Sequence, residues 1–164
     1  MSSVVATADV VVVGGGVIGS SIAFHLARRG VDVTLIEKDS LAAGPTGRSC
    51  GIIRQHYSHP TTVRMALQSL RFFEDFEELV GGNCDFRRTG YLLAAGPQHI
   101  ERLEANVAMQ QSLGVNTRVI SVEELRELEP GVSTEGIVGA AYEPDSGYAD
   151  PYSTTAALAH RAEG

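Results

Sequence analysis

Hydrophobic positions near the start of the chain predict a strand, a helix and a second strand in succession. Residues 10–13 are four consecutive valines, and a continuous β-branched run is typical of a strand buried on both faces of a parallel sheet. The apolar positions of residues 17–29 predict a helix that Gly30 ends. Residues 31–37 return to a strand pattern, so the sequence predicts a βαβ unit.

The rest of the chain predicts a mixed α+β region in which helices and short strands are interspersed. A loop rich in Gly, Ser and Thr occupies residues 41–54. Further helices are predicted over residues 60–79, 97–113, 121–128 and from 151 onward, and short strands over 91–95, 119–120 and 136–142. Ser121, three residues before Glu124, forms a capping-box pattern. Asp150 is placed to cap the last helix.

Composition places the chain among ordinary globular proteins and removes several function classes. Its 164 residues suffice for one domain with a buried core, and 43% of them are hydrophobic while 20% are charged. A net charge of −7 leaves no basic footprint for nucleic acid. Glycines and serines interrupt the apolar run of residues 10–26, so we expect no membrane span, and residues 1–8 carry no basic targeting signal.

The two cysteines, Cys50 and Cys84, are too few for a disulfide framework and lack the C-x-x-C spacing of a structural zinc site. Histidines also show no metal-ligand spacing, so no metal is expected. These observations favour a reduced, cytoplasmic protein.

A glycine-rich pattern at the predicted strand-to-helix turn carries the chemistry. It is G-x-G-x-x-G, formed by Gly14, Gly15, Gly16, Val17, Ile18 and Gly19. In this pattern the first glycine allows the tight turn, the second lets a pyrophosphate approach the backbone, and the third lets helix and strand pack closely. The helix N-terminus adds free N–H groups and a partial positive charge. The pattern predicts dinucleotide binding.

Glu37 lies at the end of the second predicted strand, where a carboxylate accepts hydrogen bonds from ribose hydroxyls and repels a 2′-phosphate. The alternative, a glycine-rich turn in an α/β protein that binds no dinucleotide, does not explain this acid. The pattern by itself does not separate NAD from FAD.

Residues 37–54, together with Gly147-Tyr-Ala-Asp-Pro151, resemble the FAD-dependent amine and amino-acid oxidoreductases. That family includes D-amino-acid oxidase, glycine oxidase, sarcosine oxidase and dimethylglycine dehydrogenase. The resemblance implies an α/β fold: a Rossmann-like FAD-binding βαβ unit with part of a mixed α+β substrate domain. We expect an FAD-binding unit with its flavin loop over residues 1–58, the start of the substrate domain over 59–145, and a return helix over 146–164. Family members are longer, so the sheet is expected to be truncated.

The resemblance also implies roles for the segment after Glu37, which in the family passes over the flavin. The residues expected to contact the cofactor there are Lys38, Thr46, Arg48, Ser49, Cys50 and Gly51. Arg48 stands where dimethylglycine-dehydrogenase-like members carry a histidine joined covalently to FAD, so non-covalent FAD is expected. Arg48 is also a candidate cation near flavin N1. The alternative is a flexible polar loop.

Arg54 follows Ile52-Ile53 and matches an arginine that reaches the substrate carboxylate in sarcosine-oxidase-like members. Its planar donor fork suits a carboxylate. Those members often carry a second arginine where this chain has Gly51, a departure that leaves the exact substrate open. The alternative is a surface arginine paired with an acid. The nearby side chains of His56, Tyr57 and His59 either edge a pocket or, as ordinary exposure favours, form a solvated turn at the helix entry.

The activity implied is FAD-dependent oxidation of a C–N bond by hydride transfer to flavin N5. The expected substrate is a small amine or amino acid resembling sarcosine, glycine or dimethylglycine, and no nucleic-acid or membrane partner is expected. Two alternatives stay open. One is an inactive FAD-binding fragment or interaction module that self-associates through a sheet edge or lacks a C-terminal half. The other is an NAD-binding dehydrogenase domain.

Overall fold

A computed structural model of the protein describes residues 7–163. Residues 1–6 and 164, which fall within the predicted first and last segments, lie outside the described residues. The strands are β1 (Val10–Val13), β2 (Val33–Ile36), β3 (Ile52–Ile53), β4 (Arg87–Arg88), β5 (Tyr91–Ala95), β6 (Arg118–Ile120), β7 (Gly139–Glu143) and β8 (Gly147–Tyr148). The helices are α1 (Val17–Ala27), α2 (Pro60–Glu74), α3 (Phe76–Val80), α4 (Ile100–Ser112), α5 (Val122–Leu128) and α6 (Pro151–Ala162).

These elements form two compact units. Of the described residues, the first unit combines 7–51, 75–86 and 149–163, and the second combines 52–74 and 87–148. In the first unit β1 and β2 pair in parallel, with Val10 opposite Val33, and α1 connects them. Helix α6 packs along α1. The predicted βαβ unit is thus confirmed.

The expectation that β1 is buried on both faces is wrong for the described residues. Val12 is 9% exposed, whereas its neighbours Val11 and Val13 are 54% and 82% exposed. Successive side chains of a strand point to opposite faces, and α1 packs against this two-stranded sheet. One face of β1 is therefore core and the other faces solvent in the part of the chain that the structure describes.

The second unit contains two antiparallel sheets. Strand β7 lies between β5 and β6, and β8 lies between β3 and β4. Small residues on β7 let helices approach: Ala141 joins a buried cluster with Leu103 and Val107 of α4, and Ala140 packs with Leu125 of α5. Apolar burial of this kind contributes roughly 25 cal/mol per Å². It fixes β7 as the centre of this unit.

The structure confirms the helix caps predicted at Ser121 and Asp150, but it divides one predicted helix in two. Ser121 Oγ accepts the Glu124 N–H at 3.2 Å, and Asp150 Oδ1 accepts the Ser153 N–H at 2.6 Å. The helix expected over residues 60–79 instead breaks at Asp75, whose φ of −99° and ψ of 16° are not helical. The chain passes from the second unit to the first at this residue, which explains the break.

Candidate functional site

The glycine turn is fixed by its own backbone. Gly14 has a φ of +110°, a conformation that favours glycine, and its N–H donates to the Ile36 carbonyl at 2.7 Å. A Cβ atom at Gly19 would collide with the Gly14 carbonyl oxygen. The first and third glycines of the pattern therefore serve the tight turn and the close approach of α1 to β1, as the sequence predicts.

Helix α1 starts without a cap of its own. Gly16 is its N-cap residue and has no side chain to accept a hydrogen bond. The Val17 N–H donates instead to Thr46 Oγ1, at 3.1 Å. A Cβ atom at Gly16 would lie 2.9 Å from that same oxygen. The structure thus brings Gly16, Val17 and Thr46 together at the helix N-terminus, while Ile18 is 75% exposed beside them.

Glu37 binds the glycine turn directly. Its Oε2 accepts the Gly15 N–H at 2.6 Å, and its Oε1 accepts the Asp39 N–H at 3.0 Å. These two hydrogen bonds, the one from Gly15 first, lower the pKa of the Glu37 carboxyl group below its ordinary value. Each carboxylate oxygen has a second lone pair. Glu37 can therefore hold the turn and still accept a hydroxyl group of a ligand.

The arrangement fits a dinucleotide. A helix N-terminus with its dipole, a Gly16 position without a Cβ atom, and a carboxylate at the end of the second strand lie around one turn. Backbone N–H groups at a helix start bind phosphate, and the glycine permits its close approach. The helix start and the Glu37 carboxylate therefore offer the kinds of group that bind a pyrophosphate and a ribose.

Residues 38–51, which include all the predicted flavin-contact residues that follow Glu37, belong to the first unit, and backbone hydrogen bonds hold this flavin loop in place. The Gly47 N–H donates to the Ala42 carbonyl at 2.9 Å, and the Gly51 carbonyl accepts the Ala149 N–H at 3.0 Å. Gly51 has a φ of +65°, and a Cβ atom there would collide with the Ala149 carbonyl oxygen. In this chain the backbone at position 51 therefore requires glycine, and the arginine expected at this position from the family resemblance would not fit. Four predicted contact residues of the segment present exposed side chains, namely Lys38, Arg48, Ser49 and Cys50.

Arg54 lies in the second unit, where its guanidinium group is half-buried between aromatic rings. The guanidinium carbon is 4.8 Å from the Tyr57 ring centroid and 5.5 Å from that of Tyr91. Nη1 donates to the His56 carbonyl at 3.1 Å and to the Tyr91 hydroxyl at 3.4 Å. Within residues 7–163 no carboxylate forms an ion pair with Arg54. The alternative of a surface arginine paired with an acid is therefore wrong.

The expectation of a solvated turn at the entry to α2 is wrong for His56, which is 6% exposed. Its Nδ1 lies 3.6 Å from Oε1 of Glu143, a residue with no exposed surface. Tyr57 is half-buried, and only His59 of the three is exposed. Sequence reasoning missed Glu143, because an acid at the end of a short predicted strand is ordinarily exposed.

Residues 7–163 contain neither a metal-binding cluster nor a helix suited to a membrane. No group of His, Cys, Asp or Glu side chains there is placed to hold a metal ion. In the same range no helix has the length and apolar character that a membrane crossing requires.

Comparisons with known proteins agree on one family. Residues 9–164 match the family described as FAD dependent oxidoreductase. Mitochondrial dimethylglycine dehydrogenase of Rattus norvegicus is 33% identical over 156 residues, which cover 93% of this chain and 18% of that protein. The 4-methylaminobutanoate oxidase (formaldehyde-forming) of Paenarthrobacter nicotinovorans is 35% identical over 153 residues, covering 91% of this chain and 18% of that protein.

A solved structure shows the same fold. The crystal structure of L-proline dehydrogenase from P. horikoshii superposes with a TM-score of 0.88 and 34% identity, covering 96% of this chain and 42% of that one. The chain thus spans 18% of the length of these two curated relatives. The match confirms the α/β fold and favours FAD over NAD. The chain belongs to the FAD dependent oxidoreductase (DAO) family, whose members are FAD-binding flavoproteins.

Proposed function

We propose that this chain binds FAD non-covalently through its first unit and supplies Arg54 to bind the carboxylate of a small amine or amino-acid substrate. The reaction proposed is oxidation of the substrate C–N bond. The observation that carries the proposal is Arg54 itself, a half-buried cation held by two tyrosines without an acidic partner among residues 7–163.

The geometry of Arg54 supports an anionic ligand. A guanidinium group has five N–H donors in a fixed fork, and Nη1 makes the two hydrogen bonds recorded within the second unit. The remaining donors suit two parallel hydrogen bonds to a carboxylate. Stacking on Tyr57 and Tyr91 reduces the rotamer freedom that Arg54 would otherwise lose on binding. A preorganised cation of this kind favours a carboxylate over a neutral amine.

The names of the relatives narrow the substrate class. Dimethylglycine, 4-methylaminobutanoate and L-proline each carry a carboxylate and an amine nitrogen with at least one further carbon substituent. We therefore extend the proposal to N-alkylated amino acids, with glycine-like primary amines as the second candidate.

The cofactor part of the proposal assigns residues that are all in the first unit. Those proposed to hold FAD are Gly14, Gly15, Gly16, Val17, Ile18, Gly19, Glu37, Lys38, Thr46, Arg48, Ser49, Cys50 and Gly51. When bound, FAD supplies the redox chemistry by accepting a hydride at N5. The helix start orients the phosphates, Glu37 accepts from the ribose, and Arg48 offers an exposed positive charge. The division of the chain into an FAD-binding part up to residue 58, the start of a substrate domain up to residue 145 and a return helix after it stays part of this proposal.

The test is a visible spectrum of the purified chain after FAD addition and desalting, followed by turnover of dimethylglycine, sarcosine, L-proline and glycine with an artificial electron acceptor. We expect a retained flavin band. Arg54→Gln should raise KM strongly, because a hydrogen bond to a charged group contributes about 1.5–3 kcal/mol. It should leave flavin retention unchanged, because Arg54 is not among the residues proposed to hold FAD. Arg64→Gln, which alters an exposed arginine of α2, is the matched control and should change neither.

Loss of the flavin band on desalting would contradict the cofactor assignment for this chain. Retained flavin without turnover of any of the four substrates would favour the inactive FAD-binding fragment. Equal KM values for wild type and Arg54→Gln would contradict the role of Arg54.

A further inference from the structure

Glu143 is a carboxylate buried at the end of the central strand β7. It has no exposed surface. Its Oε2 accepts the Gln55 N–H at 2.9 Å and the Ser146 hydroxyl at 2.8 Å, and its Oε1 faces His56 Nδ1 at 3.6 Å. Burial of a carboxylate is costly unless hydrogen bonds compensate for the lost water. Such a residue at this position therefore calls for an explanation beyond packing.

The two residues that follow Arg54 in the chain both contact Glu143. The Gln55 backbone donates directly to it, and the His56 imidazole lies against it. The same His56 offers its carbonyl oxygen to Arg54 Nη1 at 3.1 Å. One carboxylate thus fixes the short segment whose backbone supplies an acceptor to the guanidinium group.

Glu143 is also tied to the second support of Arg54. In the β5–β7 ladder Glu143 is the register partner of Tyr91. The Tyr91 ring lies 5.5 Å from the Arg54 guanidinium carbon, and its hydroxyl accepts from Nη1 at 3.4 Å. The strand that carries the carboxylate therefore sets the position of the ring that holds the cation.

The polar atoms around Glu143 favour a role other than simple stabilisation. Gln55 is 1% exposed, and neither atom of its side-chain amide has a hydrogen-bond partner among the described residues. The same is true of His56 Nδ1 and Glu143 Oε1. An apolar residue at position 143 would avoid these costs in a merely structural site, since replacing buried polar groups by apolar ones is often neutral or stabilising.

We propose that Glu143 is a positioning residue that holds the Arg54–His56 segment so that the Arg54 guanidinium stays between Tyr57 and Tyr91 with donors available to a carboxylate. The inference rests on the proposed role of Arg54. Without Glu143 the backbone N–H of Gln55 loses its acceptor, and the segment that carries the His56 carbonyl is no longer held in place. Arg54 must then be ordered when the ligand binds, and the entropy cost of that ordering weakens binding.

The experiment measures the binding of acetate, a small carboxylate, to the full 164-residue chain. The readout is the change in the backbone amide NMR signals of residues 55–57 and of Tyr91, which the wild type and every variant contain. We expect Glu143→Ala to raise the Kd for acetate roughly tenfold. Glu143→Gln keeps an oxygen acceptor for the Gln55 N–H, so its Kd should stay within about threefold of wild type. Glu124→Ala is the matched control, because Glu124 pairs with Arg118 in the same unit without touching Arg54.

The outcomes separate this inference from the proposed function. If acetate does not bind the wild type, or binds Arg54→Gln equally well, the proposed role of Arg54 fails. If Arg54→Gln abolishes binding while folded Glu143→Ala keeps the wild-type Kd, the role of Glu143 is overturned. Should Glu143→Ala not fold, Glu143→Asp decides, because its shorter side chain withdraws one oxygen from the Gln55 N–H and the other from His56. A Kd roughly tenfold higher, as expected for Glu143→Ala, supports the inference, and a Kd within about threefold of wild type overturns it.

Discussion

Thr46 caps a helix that begins 29 residues earlier in the chain: its hydroxyl oxygen accepts the Val17 N–H at 3.1 Å. The arrangement follows from Gly16, which occupies the N-cap position but has no side chain with which to cap. A larger side chain at Gly16 would lie 2.9 Å from Thr46 Oγ1. Because Gly16 has no side chain, the first N–H group of the helix is satisfied by a residue of the loop.

Thr46→Val should therefore destabilise the first unit. The substitution keeps the shape of the side chain but removes the hydroxyl that satisfies the Val17 N–H. Loss of an N-cap hydrogen bond costs about 0.5–2 kcal/mol, and urea denaturation measures the change in the free energy of unfolding. Thr46→Ser retains the acceptor and serves as the control. Equal urea midpoints for Thr46→Val and wild type would show that the cap contributes nothing.

Gly19→Ala should disrupt the glycine turn, because its Cβ atom would collide with the Gly14 carbonyl oxygen. Overpacking of this kind costs about 1–3 kcal/mol, so we expect a lower Tm and poorer retention of FAD. Gly44→Ala is the matched control: nothing lies within 4 Å of a Cβ atom there, and its φ is not positive. A Tm of Gly19→Ala equal to that of Gly44→Ala would contradict the close-packing role.

Glu37 should make the stability of the chain depend on pH. Hydrogen bonds from Gly15 and Asp39 lower the pKa of its carboxyl group below the ordinary value of 4.5. A group whose pKa is depressed by folding stabilises the folded state above its unfolded pKa, and this contribution is lost as the pH falls through the folded pKa. Thermal unfolding of wild type and Glu37→Gln should therefore differ most near neutral pH and converge below pH 4.5.

The control for this pH series is Glu104→Gln, which changes an exposed carboxylate on α4. Its Tm should run parallel to that of the wild type over the whole range. A difference between wild type and Glu37→Gln that stays constant from pH 7 to pH 3 would show that ionisation of Glu37 does not hold the turn.

The sequence predicts those parts of the fold that are encoded locally. The change of hydrophobic period around Gly14 and Gly19 specifies the βαβ unit, and the side chains of Ser121 and Asp150 specify two helix starts. Strands β3, β4 and β8 cannot be predicted in this way, because each has only two residues and so shows no alternation of hydrophobic and polar positions. Of these strands, only β8 carries a residue type that hints at its pairing: Gly147 is a glycine because a Cβ atom there would collide with the Arg87 carbonyl oxygen of β4.

The candidate site divides in the same way. The glycines and Glu37 lie within one supersecondary unit, so their meeting follows from spacing. The surroundings of Arg54 do not follow from spacing, because residues far along the chain build them. Tyr91 contacts Arg54, and its register partner Glu143 contacts Gln55 and His56. His56 shows the consequence, since its burial depends on an acid 87 positions away in the chain. Long-range register of this kind leaves no local pattern in the sequence.

The two cysteines offer a last test of the flavin loop. Cys50 is exposed in that loop, whereas Cys84 is 3% exposed, and burial raises the pKa of the Cys84 thiol and so lowers its thiolate fraction. Since the thiolate is the reactive form, a thiol-specific chromogenic disulfide should label Cys50 quickly and Cys84 only on unfolding. Added FAD should slow the fast phase if the loop covers the cofactor, and Cys50→Ser should remove that phase altogether. A fast phase that FAD leaves unchanged would place Cys50 away from the flavin.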